Sequence, residues 1–445
     1  MAGGRGMAGS GKQRHFYGWT IVGAAFVILG VLFGIQYSFP VFFLTILEEF
    51  GWSRAATWGV SSLNLMCGAI SYPLIGIAID RFGSRVAMPL GAMILAAALG
   101  LSATVTRLWQ CYVLFGVLVA VSVPFVQLSI MVILTNWFVR RRGTVFGLAY
   151  SGIGAGLFAI LPAAQYAILC VGWRWTFIIC ALLVLAVVLP VGLLVKPRPQ
   201  DMGLLPDGDV PGEAGQAPTP ASGRAQGSVV MDARWAETEW TLRRAMLTRQ
   251  FWFLFLGNLC VGVLDEAIYQ HLIPHAQAVG YSPMVAATIM SLVSALYLVG
   301  QLAGGLLSDR YGREWIITAS GLASLLGIAA AALTRDPAQP FMYGTVVLYG
   351  AGLGATISAK SATWGDVFQG RHFGSITGLL AVAYSVGGAF IAWFGGYLYD
   401  LTGTYRVTFV LAMAAALAWA ISIWVVAPRR IRRIGGRAAR SGAAG

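Results

Sequence analysis

The stretch Gly76-Ile-Ala-Ile-Asp80-Arg81-Phe-Gly83-Ser-Arg85 follows a long apolar run, and its pattern returns as Gly305-Leu-Leu-Ser-Asp309-Arg310-Tyr-Gly312-Arg313-Glu314. The two copies lie 229 residues apart (305 − 76), about half of the 445-residue chain. The same polar loop at the same place in each half indicates an internal duplication. We therefore expect two pseudo-symmetric halves.

The composition of the chain places both halves in a membrane. It is 58% hydrophobic and 11% charged, with a mean hydropathy of +0.74, whereas soluble domains carry about 25% charged residues. A spanning helix needs about 20 mostly apolar residues, so we predict an all-α membrane protein with twelve transmembrane helices. The predicted spans are 17–46, 54–79, 86–105, 109–138, 144–170, 174–195, 250–278, 284–308, 315–333, 340–364, 373–399 and 406–427.

The distribution of the 30 Lys and Arg residues predicts the orientation. With the N-terminus inside, 24 of them fall on the inner side, five on the outer side, and Lys360 lies within a span (24 + 5 + 1). Inner loops of membrane proteins carry this excess of positive charge. We therefore predict a multi-pass protein of the cell inner (plasma) membrane with both termini cytoplasmic, and the net charge of +13 needs no nucleic acid partner.

The chain divides where the hydrophobic pattern stops. The predicted parts are a cytoplasmic N-terminal segment (1–15), an N-terminal bundle (16–195), a cytoplasmic loop (196–248), a C-terminal bundle (249–427) and a basic tail (428–445). Pro, Gly, Ala and Ser dominate 206–227, which indicates a flexible hinge. From Ala233 to Arg249, tryptophans alternate with charges, which favours either a short helix on the inner membrane surface or a solvated linker.

The duplication extends to the glycine-rich starts of spans five and eleven, Arg142-Gly-Thr-Val-Phe-Gly147-Leu-Ala-Tyr-Ser151 and Phe373-Gly-Ser-Ile-Thr-Gly378-Leu-Leu380. Small residues let helix backbones approach closely. We expect close-packed faces on spans two, five, eight and eleven, where the two halves slide against each other.

At these residues the chain resembles the major facilitator superfamily, whose signature is the Gly-x-x-x-Asp-Arg-x-Gly loop after helices two and eight. Within it, the chain looks like the monocarboxylate and oxalate/formate group. The supporting strings are Phe16-Tyr-Gly-Trp19, Glu49-Phe-Gly-Trp-Ser-Arg54, Asn136-Trp-Phe138, Gly172-Trp-Arg174, His271-Leu-Ile-Pro-His-Ala276 and Tyr399-Asp-Leu-Thr-Gly-Thr-Tyr405. The resemblance implies two six-helix bundles around a central cavity that opens alternately to each side.

One departure from this group bears on substrate recognition. Its carriers keep an arginine in helix eight, which pairs with the substrate carboxylate, but the equivalent setting here is Gly300-Gln301-Leu302. Lys360, in span ten, is the remaining candidate cation for an anionic substrate. The alternative is that Lys360 snorkels to the cytoplasmic surface.

Two acids, Asp265 and Glu266, are the other full charges well inside a predicted span. Intramembrane charges usually face a wet cavity and mark a substrate or proton path, so we assign both to proton coupling. Tyr269 and Gln270 lie one helical turn from Asp265 and Glu266 and are expected as hydrogen-bond partners. The alternative is a structural pair of acids capped by these neighbours.

Uncharged polar residues within the spans are the remaining candidates for the cavity lining. They are Gln36, Asn64, Gln127, Tyr297, Gln301 and Tyr384. His271 and His275 are four residues apart, as metal ligands can be, but no third ligand is evident and Pro274 lies between them, so no metal site is expected.

The duplicated loops predict a gate. Asp80 and Asp309 are expected to meet helix dipoles and the arginines that follow them at the inner face. Their ion pairs must break when the inner side opens, so they tune the conformational equilibrium. The predicted gating residues are Asp80, Arg81, Arg85, Asp309, Arg310 and Arg313.

Together these features predict a secondary active transporter of a small organic anion, a mono- or dicarboxylate, which works by alternating access with protons or by exchange. The alternatives are a proton-coupled exporter of cationic or amphiphilic compounds and a non-transporting membrane sensor. No nucleotide-binding loop or nucleophile–base pattern is present, so neither enzymatic activity nor a cofactor is expected. The expected partners are the substrate, protons and the lipid bilayer, and a monomer suffices.

Overall fold

The computed structural model describes residues 17–138, 142–202, 204, 228–230, 232–368 and 373–434. The N-terminal segment 1–15 and the predicted hinge at 206–227 lie outside this part. At Asp80 and Asp309 the description covers only the backbone, so the ion pairs predicted for these two carboxylates also lie outside it. We keep "inner" and "outer" for the sides that the charge distribution predicts.

The N-terminal half is helical. Its helices are α1 (Tyr17–Gln36), α2 (Phe39–Phe50), α3 (Arg54–Phe82), α4 (Ser84–Ser102), α5 (Leu108–Cys111), α6 (Ala120–Trp137), α7 (Arg142–Leu183) and α8 (Leu189–Leu194). Two π-helical segments, Tyr112–Val119 and Val184–Val188, join α5 to α6 and α7 to α8, and a 3₁₀ turn follows at Pro199–Met202.

The C-terminal half repeats this order. Two short helices, α9 (Ala233–Glu237) and α10 (Leu242–Met246), precede it. Its helices are α11 (Arg249–Val279), α12 (Pro283–Tyr311), α13 (Arg313–Leu333), α14 (Phe341–Gly344), α15 (Gly350–Val367), α16 (Phe373–Thr402) and α17 (Arg406–Val426). A π-helical segment, Thr345–Tyr349, joins α14 to α15. After the 3₁₀ turn Pro428–Arg430, strand β2 (Arg432–Ile434) pairs antiparallel with β1 (Ser228–Val230) of the loop.

The described residues form twelve membrane spans. By length and composition, eleven helical stretches are long and apolar enough to cross a membrane, and one of them, Val145–Leu194, has 50 residues. A helix of that length would be about 75 Å long, more than twice the thickness of the hydrocarbon core. Gly172, with φ 81° and ψ 162°, breaks its helical geometry, so this stretch makes two spans. The predicted twelve-helix membrane fold is confirmed.

The duplicated loop has the same backbone shape in both halves. Gly83 (φ 80°, ψ 155°) separates α3 from α4, and Gly312 (φ 100°, ψ 151°) separates α12 from α13. A positive φ favours glycine, which has no Cβ to clash. At the other end of α3 and α12, the side chains of Ser53 and Ser282 cap the helix by accepting a backbone N–H three residues on. Each half therefore builds its second and third spans in the same way.

The two halves meet mainly along two helix pairs, α3 with α16 and α7 with α12. These are spans two with eleven and five with eight, the four spans predicted to carry close-packed faces. A Cβ on Gly396 of α16 would lie 2.8 Å from Cδ1 of Trp58 on α3, so the contact is tight towards the outer side.

The same four helices carry glycines with open space beside them towards their inner ends. At four glycines that the structure describes near these inner ends, an added Cβ would meet no atom within 4 Å, leaving aside the helix's own backbone. These residues are Gly76, Gly147, Gly305 and Gly378. These helices therefore pack tightly against each other towards the outer side, and leave space beside these glycines towards the inner side.

The end of the loop docks on the C-terminal half. Trp235 of α9 donates a 2.7 Å hydrogen bond from Nε1 to the backbone carbonyl of Val367, and its ring lies 4.4 Å from that of Trp240. Trp240 is buried and packs edge-on against Phe368 at 5.2 Å. The solvated-linker alternative is thus wrong for this segment, which is anchored to the inner end of span ten by its tryptophans.

Candidate functional site

Lys360 lies on α15 with its side chain only 6% exposed. Its Nζ is 5.2 Å from the ring centroids of both Trp364 and Tyr384. Ammonium groups at this distance from an aromatic ring are attracted by its electron-rich face. The ammonium is therefore held among aromatic rings inside the bundle, which argues against the alternative that it snorkels to the cytoplasmic surface.

Asp265 lies on α11, on the other side of Tyr384. The Tyr384 hydroxyl donates a 2.6 Å hydrogen bond to Asp265 Oδ2, and the Tyr349 hydroxyl approaches Oδ1 at 3.5 Å. In the described part of the chain, Asp265 and Lys360 form no ion pair within 4.0 Å, although their charges attract each other. Tyr384 thus contacts both charges, its hydroxyl the carboxylate and its ring the ammonium.

Tyrosines surround the Asp265 carboxylate. The Tyr269 ring packs against that of Tyr37 at 5.1 Å, and Tyr384 donates the hydrogen bond to Asp265 that we expected from Tyr269. The tyrosines near enough to act electrostatically on Asp265 are Tyr37, Tyr269, Tyr297, Tyr349 and Tyr384. Phenol hydroxyls are donors that stabilise a buried carboxylate without neutralising it.

Glu266 is fully buried and points elsewhere, towards the N-terminal half. As expected from their spacing, Gln270 donates a 2.8 Å hydrogen bond from Nε2 to Glu266 Oε2. Gln270 Oε1 in turn accepts a 3.5 Å bond from the Ser61 hydroxyl of α3. The two adjacent acids therefore occupy different surroundings, Asp265 among tyrosines near Lys360 and Glu266 at the boundary between the bundles.

Two predicted lining residues of the N-terminal half face Glu266. A small cavity between the halves is lined by Gln36, Asn64, Glu266 and Gln270, among others. Gln36 donates a 3.4 Å hydrogen bond from Nε2 to Asn64 Oδ1, and Asn64 donates a 2.7 Å bond to the backbone carbonyl of Phe115. These amides form a chain of hydrogen bonds that ends at the cavity.

The other predicted lining residues are divided between the halves. Tyr297 and Gln301 lie on α12, half-buried, and Tyr297 faces Asp265. Gln127 lies on α6 of the opposite half, where it accepts a hydrogen bond from the Tyr72 hydroxyl. The structure therefore brings Tyr297 and Tyr384 together with the charges of the C-terminal half, and places Gln127 in the other bundle.

His271 and His275 are both buried. The Nε2 atoms lie 3.2 Å from the Ile391 carbonyl oxygen and 2.9 Å from that of Ala331. Among the described residues, no three His, Cys, Asp or Glu side chains form a group that could hold a metal ion. The His271 ring stacks on Tyr405 at 5.1 Å, so it serves as packing at the closed outer side.

The outer closure centres on Arg54, one of the five Lys and Arg residues that the charge distribution assigns to the outer side. Its guanidinium lies 4.1 Å from the centroid of the Tyr399 ring, and Nη1 donates a 2.7 Å hydrogen bond to the Tyr405 hydroxyl. Trp58, one turn further along α3, packs edge-on against His271 at 4.9 Å. Arg54 and Trp58 belong to one half and their three partners to the other.

At the inner face, the predicted gating residues behave differently from one another. Arg313 is buried and pairs with Asp366 at the end of α15, with Nε 3.0 Å from Oδ2, and it also donates a 2.5 Å hydrogen bond to the Ser308 hydroxyl. The side chains of Arg81, Arg85 and Arg310 are exposed. The contact of Arg313 lies within the C-terminal half, so it persists while the inner side is open.

A model of a known protein family matches most of this chain. The model described as "Major Facilitator Superfamily" matches residues 24–296 and 255–443. The chain belongs to this superfamily. The match spans both halves, as the duplicated loops predicted, and the resemblance to the superfamily and its monocarboxylate group is confirmed.

Curated relatives of this superfamily member are named as monocarboxylate transporters. Monocarboxylate transporter 13 of Rattus norvegicus is 28% identical over 403 residues, which cover 90% of this chain and 87% of the relative. Monocarboxylate transporter 2 of Homo sapiens is 23% identical over 419 residues, covering 92% and 85%. This chain is therefore a transporter of the major facilitator superfamily with monocarboxylate transporters among its relatives.

The fold also matches solved structures. A bacterial homolog of the human lysosomal transporter Spinster, in an inward-facing and unoccupied conformation, superposes with a TM-score of 0.67 at 16% identity, covering 93% of this chain and 98% of that one. The inward-facing and occupied form of such a homolog gives a TM-score of 0.64 at 17% identity. At this identity the match establishes the shared fold.

Proposed function

We propose that the protein is a secondary active transporter that carries a small organic anion, a mono- or dicarboxylate, by alternating access together with protons. The observation that carries this proposal is the position of Lys360, whose ammonium is buried between the rings of Trp364 and Tyr384. A carboxylate that leaves water for a low-dielectric cavity needs a cation as its partner. Lys360 provides one where Gln301 has replaced the arginine of helix eight.

The two buried acids, Asp265 and Glu266, couple substrate transport to protons. In the empty carrier, Asp265 balances the charge of Lys360 through Tyr384. An anion that binds to Lys360 adds one negative charge to this cavity. A proton taken up by one of the acids offsets that charge, and an unpaired charge is costly inside a membrane. Symport of one proton with each monocarboxylate follows.

Uptake of radiolabelled lactate into proteoliposomes tests this proposal. An inward proton gradient should accelerate uptake by the purified protein above that of empty liposomes, and unlabelled carboxylates should compete. Thermal unfolding with and without lactate provides a second readout, because a bound substrate stabilises the folded carrier. If lactate, other monocarboxylates and dicarboxylates all fail in both assays, the substrate class is wrong.

A second candidate is a proton-coupled exporter of cationic or amphiphilic compounds. The burial of two carboxyl groups, Asp265 and Glu266, favours it, since acids in a cavity attract cations. A lipophilic cation such as tetraphenylphosphonium should then compete in the uptake assay where carboxylates do not. Lys360 disfavours this candidate, because its charge repels cations from the same cavity.

The same proposal places the protein in the cell inner (plasma) membrane with both termini cytoplasmic. The 24 inner against five outer Lys and Arg residues support this orientation. We assign it neither enzymatic activity nor a cofactor, and a monomer suffices because each chain has two halves that enclose one site.

A further inference from the structure

The small cavity between the bundles is lined by two buried oxygen atoms that have no hydrogen-bond donor in the described part of the protein. They are Oε1 of Gln36, from the N-terminal half, and Oε1 of Glu266, from the C-terminal half. A buried acceptor without a donor destabilises the folded protein, and more so when the acceptor is charged. Two such acceptors that line one cavity indicate that a proton donor belongs there.

The Gln36 carbonyl is held towards the cavity by its neighbours. The Phe115 backbone carbonyl can only accept, so the amide nitrogen of Asn64 must face it, at 2.7 Å. The Asn64 oxygen then faces Gln36 and requires the amide nitrogen of Gln36 as its donor. The oxygen of Gln36 is left pointing away from Asn64, as an acceptor.

The surroundings of Glu266 do not balance a negative charge. The titratable groups that act on it are Asp265 and Tyr269 on its own helix, Tyr37 before α2, Tyr349 before α15, and Tyr384 on α16. The only one of these that carries a charge is Asp265, which has the same sign. Helix α3 contributes Ser61 and Asn64, which do not titrate. None of these groups is a cation, so burial favours the neutral form of the carboxyl group despite the hydrogen bond that Gln270 donates to it.

We propose that Glu266 carries the coupling proton, and that this proton allows the outer side to close, because only a protonated Glu266 can donate to the Gln36 carbonyl of the opposite bundle. This inference rests on the proposed function, and it names the acid that couples transport to proton movement. The proton comes from the outer solution while Glu266 is hydrated. Its loss to the inner side leaves a buried, unpaired carboxylate, which favours reopening of the outer side.

The test is a distance measurement without substrate. Spin labels at Thr104→Cys and Ala338→Cys, two exposed outer positions on opposite halves, are placed in a variant without native cysteines. In lipid nanodiscs, the distance between the two spin labels in the parent protein should be short at about pH 5 and should gain a longer component at about pH 10. Buried carboxyl groups titrate within this pH range. Glu266→Gln, whose amide donates as the protonated acid does, should keep the short distance at both pH values. Asp265→Asn should retain the pH response of the parent.

A pH response that survives in Glu266→Gln, or that disappears in Asp265→Asn, would overturn the proposal, as would a parent protein that does not respond to pH. A second variant keeps the proposal testable if Glu266→Gln folds poorly. Gln36→Leu removes the acceptor and should reduce the short-distance population at low pH, whereas Gln165→Leu, which replaces a buried glutamine on α7 of the same half, should not. Because no substrate is present, failure of lactate transport leaves this result intact, and the two proposals fail separately.

Discussion

Asp400, at the outer end of the C-terminal half, accepts a 3.2 Å hydrogen bond from the backbone amide of Arg54, the first residue of α3 in the N-terminal half. The next amide, that of Ala55, donates to the same carboxylate at 2.9 Å. A negative charge at a helix N-terminus is stabilised by free N–H groups and by the helix dipole. The two halves are thus joined at the outer side by an interaction that exists only while that side is closed.

Removing this carboxylate should open the outer side. A carboxylate at an exposed helix N-terminus contributes about 0.3–1 kcal/mol, and about 1.4 kcal/mol shifts an equilibrium tenfold. We expect Asp400→Ala to shift the population severalfold towards the outward-open state, measured with the outer spin-label pair. Glu49→Ala is the matched control, since Glu49 bonds Arg174 within the N-terminal half. An equal shift in both variants would contradict the assignment.

Steric crowding at the closed outer side provides an independent test. A Cβ on Gly396 would lie 2.8 Å from Trp58 Cδ1 and 3.0 Å from the Arg54 carbonyl oxygen. Gly396→Ala should therefore disfavour the closed outer side. Cysteines introduced at the outer positions Thr104 and Ala338 should then become more accessible to aqueous reagents. Gly100→Ala, also in a helix but with no atom within 4 Å, should leave the accessibility unchanged. Unchanged accessibility in Gly396→Ala would contradict the tight packing of α16 against α3 at this position.

The duplicated loop should contribute to stability as well as to gating. Arg313→Ala removes the buried ion pair with Asp366 and the hydrogen bond to the Ser308 hydroxyl, at a cost of about 1–3 kcal/mol. Thermal unfolding of the detergent-solubilised protein should show a lower Tm. Arg310→Ala, an exposed arginine of the same loop, should change the Tm little. A Tm that is lowered equally by both would place the effect in the loop charge and not in the buried pair.

Introducing an arginine at position 301 tests how the substrate is recognised. Gln301 lies on α12, where the resemblance to the monocarboxylate group implies an arginine, so Gln301→Arg should recover carboxylate uptake in a Lys360→Ala background. Gln301→Lys is a useful comparison, because a single ammonium lacks the two-point fork of an arginine. Lactate uptake in proteoliposomes measures both. No recovery in a folded double variant would mean that Gln301 does not face the substrate.

The fold could be predicted because its signals are local. Hydropathy identifies a span from about 20 neighbouring residues, and Gly83 and Gly312 end their helices through their own backbone. The charge of Lys360 or Asp265 is also visible in sequence, because ionised groups are rare in spans. These features need no knowledge of which helices are neighbours.

The arrangement of the site could not be predicted in the same way. Tyr384 contacts Asp265 from 119 residues away, and Tyr349 approaches it from 84 residues away. Which face of a helix meets which neighbour depends on packing between helices, and a tyrosine in a span carries no charge to mark it. Arg54 was missed for a related reason, since an outer arginine is unremarkable until the opposite half is in place.

Lactate uptake by Lys360→Ala tests the central claim most directly. The account predicts that this variant, reconstituted at the same level as the parent and with an unchanged Tm, loses proton-driven lactate uptake, while Lys360→Arg retains part of it. Uptake at the parental rate by folded Lys360→Ala would contradict the claim that this buried ammonium binds the transported anion.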